Sequence, residues 1–485
     1  MTSAARQQET AVRGGWRENP WVSLVVLALG FFLTMLDVSI VNIAIPDIRA
    51  DFGTTLPTVL WAVNAYVLVV AVLLITAGRL GDLYGPRRLF VLGSTVFTVS
   101  SLLCGLAQGP GQLIAARALQ GLGAALLLPQ TMAMIVSLFP PTRRGLAMGV
   151  WGAVGGIAAV AGPSVGGLLV TTLGWRWIFL VNVPIGVATV ILALVAVPGL
   201  RFDRRHRLDV GGIVLASAAL FCLAFPLMEG ERFDWAPWTL VMLGAAVALG
   251  PAFVAYERGR QDREPLVPFV LLGIRSYATM IVVAAAVSFG IIGFMLLMTL
   301  FFQSVLGFSA LAAGLALAPP ALVSTLLAPL AGKITDRLDG RVVLLVGLLL
   351  TLAGMGWTAG VMQPGAAWLT FLGPMLLIGL GNGLLIAPMA AVAMREVQPV
   401  LAGAASGLLN TVRQLGPVLA VTLVGLLLAR RLSDWPDGAA PTDRYADALR
   451  LGMWLPTAAI LVGVLACLPG ALRTLRGTSP AGGSA

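Results

Sequence analysis

Charge is what this sequence has least of. Of its 485 residues 11% are charged, against roughly a quarter in an ordinary soluble domain. A folded chain of any size keeps much of its surface in water, and so little charge cannot dress it. That excludes a soluble enzyme and a disordered regulator, and it argues against a DNA-binding domain. Histidine occurs once, as His206, which excludes histidine metal clusters and catalytic triads. The three cysteines, Cys104, Cys222 and Cys467, lie in apolar runs without CxxC or Cys/His spacing. They read as buried or lipid-facing thiols, and no metal site is expected. Lysine also occurs once, Lys333, among 31 basic residues, a compositional bias toward arginine. No glycine-rich phosphate loop is present, so ATP is not the expected energy source.

What is there is apolar. Hydrophobic residues make up 58% of the chain and the mean hydropathy is +0.94. A bilayer about 30 Å thick needs roughly 20 apolar residues per helical crossing. Glycine, proline and charge divide the chain into fourteen such runs: 21–45, 59–77, 89–107, 113–138, 146–172, 177–197, 210–228, 239–256, 278–300, 311–331, 342–361, 368–393, 402–428 and 452–470. The expected fold is therefore an all-α, multi-pass integral membrane protein. An even number of crossings puts both termini on one side. With the N-terminus inside, inner segments hold 22 Arg/Lys and outer loops 7. The positive-inside rule then makes both termini cytoplasmic and the cytoplasmic membrane the location. The net charge of +10 thus reports orientation, and no nucleic-acid partner is expected.

The sequence contains a duplication. Gly78-Arg79-Leu80-Gly81-Asp82-Leu83-Tyr84-Gly85 follows the second run, and Gly332-Lys333-Ile334-Thr335-Asp336-Arg337-Leu338-Asp339-Gly340 follows the tenth. Gly121-Leu122-Gly123 and Gly379-Leu380-Gly381 form a second pair. Eight runs separate the repeated loops, where a parallel six-helix repeat would need six. The reading is two pseudo-symmetric six-helix halves, 21–200 and 278–472, with two inserted helices and a linker at 201–277. Cytoplasmic tails at 1–20 and 473–485 complete the chain. Within the linker, the apolar stretch of Pro265–Tyr277 is too short to cross and is expected in the interface. Parallel halves fit a transporter with its substrate site between them.

Four motifs make the resemblance specific. GRLGDLYGPRR (Gly78–Arg88) resembles the loop 2–3 signature of the major facilitator superfamily. LDVSIVNIAIP (Leu36–Pro46), RALQGLGAA (Arg117–Ala125) and GPSVGG (Gly162–Gly167) resemble the span 1, span 4 and span 5 motifs of its 14-helix drug:proton antiporter family. The resemblance covers nearly the whole chain. It implies a proton-coupled exporter of lipophilic, including cationic, drugs or toxic compounds, bacterial and monomeric. It implies no enzymatic activity and no cofactor beyond the proton gradient. A dedicated exporter of one endogenous metabolite, such as an antibiotic, siderophore or lipid, is the alternative.

Asp37 is the only carboxylate inside any of the fourteen runs. An intramembrane ionisable residue is a functional candidate by default. Desolvation favours the neutral acid and a nearby arginine the charged one, so its protonation can follow the wetting of a cavity. The bland reading is a cap on a broken helix. Arg117 is its natural partner by depth, and the resemblance links that arginine to proton movement; snorkelling to the outer interface is the alternative. In the loop motif, Gly78, Gly81 and Gly85 allow close approach and tight turns. Asp82 can accept from helix N-terminal amides, and Arg79, Arg87 and Arg88 can hold it or meet anionic lipid. The resemblance makes this loop a gate, with Asp336 its less regular second copy; topology anchoring alone is the competing reading. Gly162, Gly166 and Gly167 suit close helix packing in lipid and Pro163 suits a bend. The resemblance adds a role in limiting proton leak. Candidates for a substrate cavity are Asn42, Trp61, Asn64, Tyr66, Gln120, Phe294, Met298, Phe302, Gln303, Asn382, Asn410, Arg413 and Gln414, although aromatic and Met positions more often serve helix packing. Arg413 is deep in its run with no acid to pair with, and a polar network or a substrate role suits it equally. Partners would be a small lipophilic molecule, protons and membrane lipids.

Overall fold

The computed structural model describes residues 19–199, 209–233, 235–261, 265–433 and 441–475. The distal parts of both expected tails, the linker residues 200–208 with His206, and residues 434–440 lie outside this set. Among the described residues the regular structure is helical throughout.

The helices are α1 (Pro20–Phe52), α2 (Leu56–Tyr84), α3 (Pro86–Gly105), α4 (Pro110–Leu138), α5 (Pro141–Leu173), α6 (Trp177–Leu180), α7 (Asn182–Ala196), α8 (Val210–Glu229), α9 (Pro237–Arg258), α10 (Val270–Gly273) and α11 (Arg275–Leu300). They continue with α12 (Ala310–Ala316), α13 (Ala318–Arg337), α14 (Gly340–Val361), α15 (Trp368–Gly383), α16 (Ile386–Met394), α17 (Ala402–Ser433), α18 (Pro441–Gly452) and α19 (Trp454–Leu475). Twelve helical stretches among the described residues are long and apolar enough to cross a membrane. The chain is thus a multi-pass membrane protein. The twelve match twelve of the fourteen expected runs. The other two, 146–172 and 311–331, are helical as α5 and α12–α13 without being among the twelve.

Local chemistry sets the boundaries. Proline opens α1, α3, α4 and α9, where its missing N–H costs nothing. Side-chain caps start others: Asn19 accepts from Trp21 N (3.0 Å), Asp209 from Gly212 N (3.0 Å) and Asp339 from Arg341 N (2.9 Å). Helix α1 stops at Gly53, which takes the left-handed conformation (φ 56°) that glycine adopts most readily. Large apolar side chains face outward, Leu326 at 81% and Val247 at 75% exposure among them, as expected where lipid is the solvent.

Cα proximity divides the chain into two compact units. The first comprises residues 1–140, 157–269 and 398–411; the second 141–156, 270–397 and 412–485. The first unit therefore contains α1–α4, the inserted pair α8–α9 and the opening turns of α17. The second contains the opening turns of α5 and the helices from α10 to α16.

In the segment after α9, Leu266 and Val267 are buried, at 1% and 6% exposure. They pack in a cluster with Ile75, Ala216 and Leu408, while Val270 and Leu272 further along are exposed.

Candidate functional site

Asp37 sits in the middle of α1, fully buried, and Arg117 on α4 is 1% exposed. The guanidinium Nη1 donates to Asp37 Oδ2 at 2.5 Å and to Gln120 Oε1 at 2.6 Å, while Nε donates to the Ala62 carbonyl at 2.9 Å. Gln120, one turn after Arg117, donates Nε2 to Asp37 Oδ1 at 2.9 Å. Asn182 reaches the same oxygen at 3.4 Å and also donates to Ser101 Oγ at 3.2 Å. Tyr66 lays its ring against the guanidinium, 4.4 Å from centroid to Cζ. Every charge in this cluster is both paired and hydrogen-bonded, which is the condition for burying an ion pair at tolerable cost. Helices α4 and α7 meet the Asp37 carboxylate of α1, and α2 supplies the carbonyl and the ring that hold the guanidinium. Arg117 points inward to Asp37 and does not snorkel.

Asn182, Ser101 and Cys104 belong to this cluster without being among the expected residues; the Cys104 thiol lies 3.6 Å from Gln120 Oε1. A signal for Asn182 was available, since an amide at the sixth position of the apolar run 177–197 needs a partner. Gly162 and Gly166 of α5 pack on α1 just past Asp37. A Cβ on Gly162 would fall 2.6 Å from Ser39 Cβ, and one on Gly166 2.7 Å from Ile40 Cγ1. Gly167 faces open space. Pro163 lies within α5; its side chain is outside the described set.

The loop motif shows the duplication at atomic detail. In the first unit, Asp82 accepts from Gly403 N and Ala404 N, each at 2.8 Å, at the start of α17. In the second unit, Asp336 accepts from Gly145 N at 2.7 Å and Leu146 N at 2.8 Å, near the start of α5. Glycines accompany both carboxylates. A Cβ on Gly78 would meet the Gly403 carbonyl and, at 2.9 Å, Gly407 Cα. A Cβ on Gly332 would meet the Gly145 carbonyl and, at 2.9 Å, Gly149 Cα. Each carboxylate thus holds the positive end of a helix dipole, and each glycine lets two backbones touch. Gly81 packs on Gln130, which donates to the Ala77 carbonyl at 2.8 Å. Gly85 turns the chain at φ 93°. Arg79 is buried, Arg87 donates to the Leu194 carbonyl, and Arg88 is exposed. Lys333 is exposed beside Gly332.

The expected cavity residues are distributed over both units. In the first, Asn42 is exposed and bonded to its own helix at the Val38 carbonyl. Trp61 packs on Phe225 at 5.7 Å, Tyr66 and Gln120 belong to the Asp37 cluster, and Asn410 donates to the Ser406 carbonyl at 2.9 Å. In the second, Phe294 and Met298 are buried, and Phe302 packs between Phe308 and Phe371 at 5.5 Å from each. Gln303 is exposed in a π-helical turn, and Asn382, Arg413 and Gln414 are half-buried.

Glu229, the last residue of α8, is a second buried carboxylate that the sequence reading did not single out. That carboxylate is 5% exposed, accepts from Asn64 Nδ2 at 2.5 Å and pairs with Arg232 at 3.4 Å. The apolar run ends before it and α8 ends with it, where Asn64 and Arg232 supply its polar partners.

A duplicated all-helical membrane protein with a buried ion pair and two carboxylate-held helix ends defines the class of polytopic secondary carriers. Residues 27–421 match the profile of the Major Facilitator Superfamily, and the chain belongs to that family of transporters. It is 37% identical over 439 residues to a probable actinorhodin transporter of Streptomyces coelicolor, covering 87% of this chain and 75% of that protein. It is 35% identical over 415 residues to the multidrug resistance protein Stp of Mycobacterium tuberculosis, covering 85% and 76%. In fold it resembles the human organic anion transporter MFSD10, with a TM-score of 0.66 at 13% identity over 92% of this chain and 99% of that one.

Proposed function

We propose that the protein is a proton-coupled antiporter that exports lipophilic, including cationic, drugs or toxic compounds across the bacterial cytoplasmic membrane. The observation that carries this reading is the fully buried Asp37–Arg117 pair, whose carboxylate also accepts from Gln120 and Asn182. Its chemistry needs no cofactor: a carboxylate that exchanges its arginine for a proton when water reaches it couples the proton gradient to conformation. Asp82 and Asp336 act as paired gates that hold one access state. Gly162 and Gly166 keep α5 tight on α1 so that protons do not leak past Asp37. In this reading α5 and α12–α13 also cross, which gives fourteen spans with both termini cytoplasmic, and the carrier works as a monomer.

The dedicated export of one endogenous metabolite is the second reading, favoured by similarity to a protein named as a probable actinorhodin transporter. A single experiment tests both. Inverted vesicles are energised with a proton gradient and given a panel of unrelated amphiphiles. Gradient-driven uptake of several, lost in Asp37→Asn, is expected. Uptake that persists with proton counterflow in Asp37→Asn would remove Asp37 from the coupling site. Uptake of one compound class alone would select the second reading.

A further inference from the structure

We propose that Glu257, at the end of α9, is a positioning residue that braces the Asp82 gate through the segment following the inserted helix pair. This rests on the reading of Asp82 as a gate. Glu257 is fully buried, and its two carboxylate oxygens accept from Leu266 N (3.2 Å) and Val267 N (3.5 Å). Gln261 ties down the same segment: its Oε1 accepts from Phe269 N at 2.7 Å, and its Nε2 donates to the Val267 carbonyl at 3.4 Å. On the neighbouring helix, Asp209 caps α8 while accepting from Tyr256 Oη at 2.9 Å. One buried acid and a glutamine thus hold the connecting chain at Leu266, Val267 and Phe269, while Asp209 ties the end of α9 to the start of α8.

What that chain touches gives the arrangement its meaning. Leu266 and Val267 pack with Ile75 and Ala216, and Ile213, Leu220, Phe253, Phe269 and Leu408 adjoin them. Ile75 lies on α2, one turn before Gly78. Leu408 lies on α17, next to Gly407. These are the two helices whose backbones meet at Gly78 and whose ends Asp82 joins. The segment therefore lies across the flank of the gate and contributes apolar contacts to both of its helices. Separating α17 from α2 must take Leu408 out of this cluster. The inserted pair accordingly does more than keep the second half in its orientation: it carries a strap that favours the closed gate.

The test measures the gate directly, in full-length protein with Cys104, Cys222 and Cys467 replaced by serine. Spin labels go on Tyr84→Cys and Gln398→Cys, both exposed, and the distance distribution is recorded by pulsed electron resonance in nanodiscs. Glu257→Ala is expected to raise the population of the longer distance at least threefold, as is Leu408→Ala. Asp82→Asn is the reference for an open gate. If Asp82→Asn lengthens the distance while Glu257→Ala and Leu408→Ala leave it within error of the parent, the brace is refuted and the gate stands. If Asp82→Asn also changes nothing, the gate reading fails and the brace with it. Should Glu257→Ala not fold, Gln261→Ala, which frees the strap at Phe269 without leaving a buried charge, decides the matter by the same measure. A structural role alone would lower the unfolding temperature without moving the distance.

Discussion

If the proposed gate closes where α2 meets α17, replacing Gly78 with alanine should push it open by an amount that follows from the contact distances. The new Cβ meets the Gly403 carbonyl and, at 2.9 Å, Gly407 Cα. Ordinary van der Waals contact begins at 3.4 Å, so the two backbones must retreat by about 0.5 Å or more. Neither neighbour is a side chain that can swing away. Overpacking of this kind costs about 1–3 kcal/mol, and only in the conformation where α2 and α17 touch. At about 1.4 kcal/mol per factor of ten, the equilibrium should shift roughly 5- to 150-fold toward the separated state. The assay is the maleimide labelling rate of Ser406→Cys, a near-isosteric replacement of a fully buried residue on α17, in protein without its native cysteines. Under limiting reagent, that rate follows the open population. The duplication supplies an internal comparison: Gly332→Ala, with its Cβ at the same 2.9 Å from Gly149 Cα, should accelerate labelling of Met148→Cys by a similar factor. A folded Gly78→Ala protein labelled within twofold of its parent would refute the reasoning, because the close approach would then carry no gating energy.

The remaining predictions concern the Asp37 cluster. Arg117→Ala strands a buried carboxylate and should destabilise the purified protein by about 3–5 kcal/mol, read in thermal unfolding; Asp37→Asn in the same chain should recover much of that stability but no proton-coupled transport. Asn182→Leu removes a 3.4 Å hydrogen bond to Asp37 and should slow drug-driven proton exchange severalfold, in line with about 1 kcal/mol per bond, with unchanged membrane insertion. Gly162→Ala places a methyl against Ser39 and should raise substrate-independent proton leak in proteoliposomes; an unaltered leak rate would count against a sealing role for this packing.

The parts legible in the sequence were those written locally. Runs of apolar residues mark the helices, and the Gly-x-x-x-Asp loops mark the duplication because the residues that make each turn are neighbours in the chain. The pairing of Asp37 with Arg117 followed from depth and scarcity, since two opposite charges in an apolar medium have few other choices. The receiving ends were harder. Gly403 is 321 residues from Asp82, and nothing near Asp82 names it. The relation Gly145-Leu-Ala-Met-Gly149 to Gly403-Ala-Ala-Ser-Gly407 is visible only once contact geometry says that the first glycine offers its amide and the second its bare Cα. Asn182 escaped because one amide in an apolar run looks like a tolerated exception until its carboxylate partner is seen. Glu229 escaped because a charge at the end of an apolar run reads as solvated, and its partner Asn64 lies 165 residues away in the chain.

The exposed position of Lys333 beside Gly332 has a practical consequence. A chain with 31 basic residues offers amine-selective chemistry just one side chain, and that side chain stands near the end of α13, three residues before Asp336. An acylating fluorophore or a tether to a surface can therefore be placed there in the unaltered protein, with the terminal amine as its only rival. The helix end that holds Asp336 already carries its own attachment point.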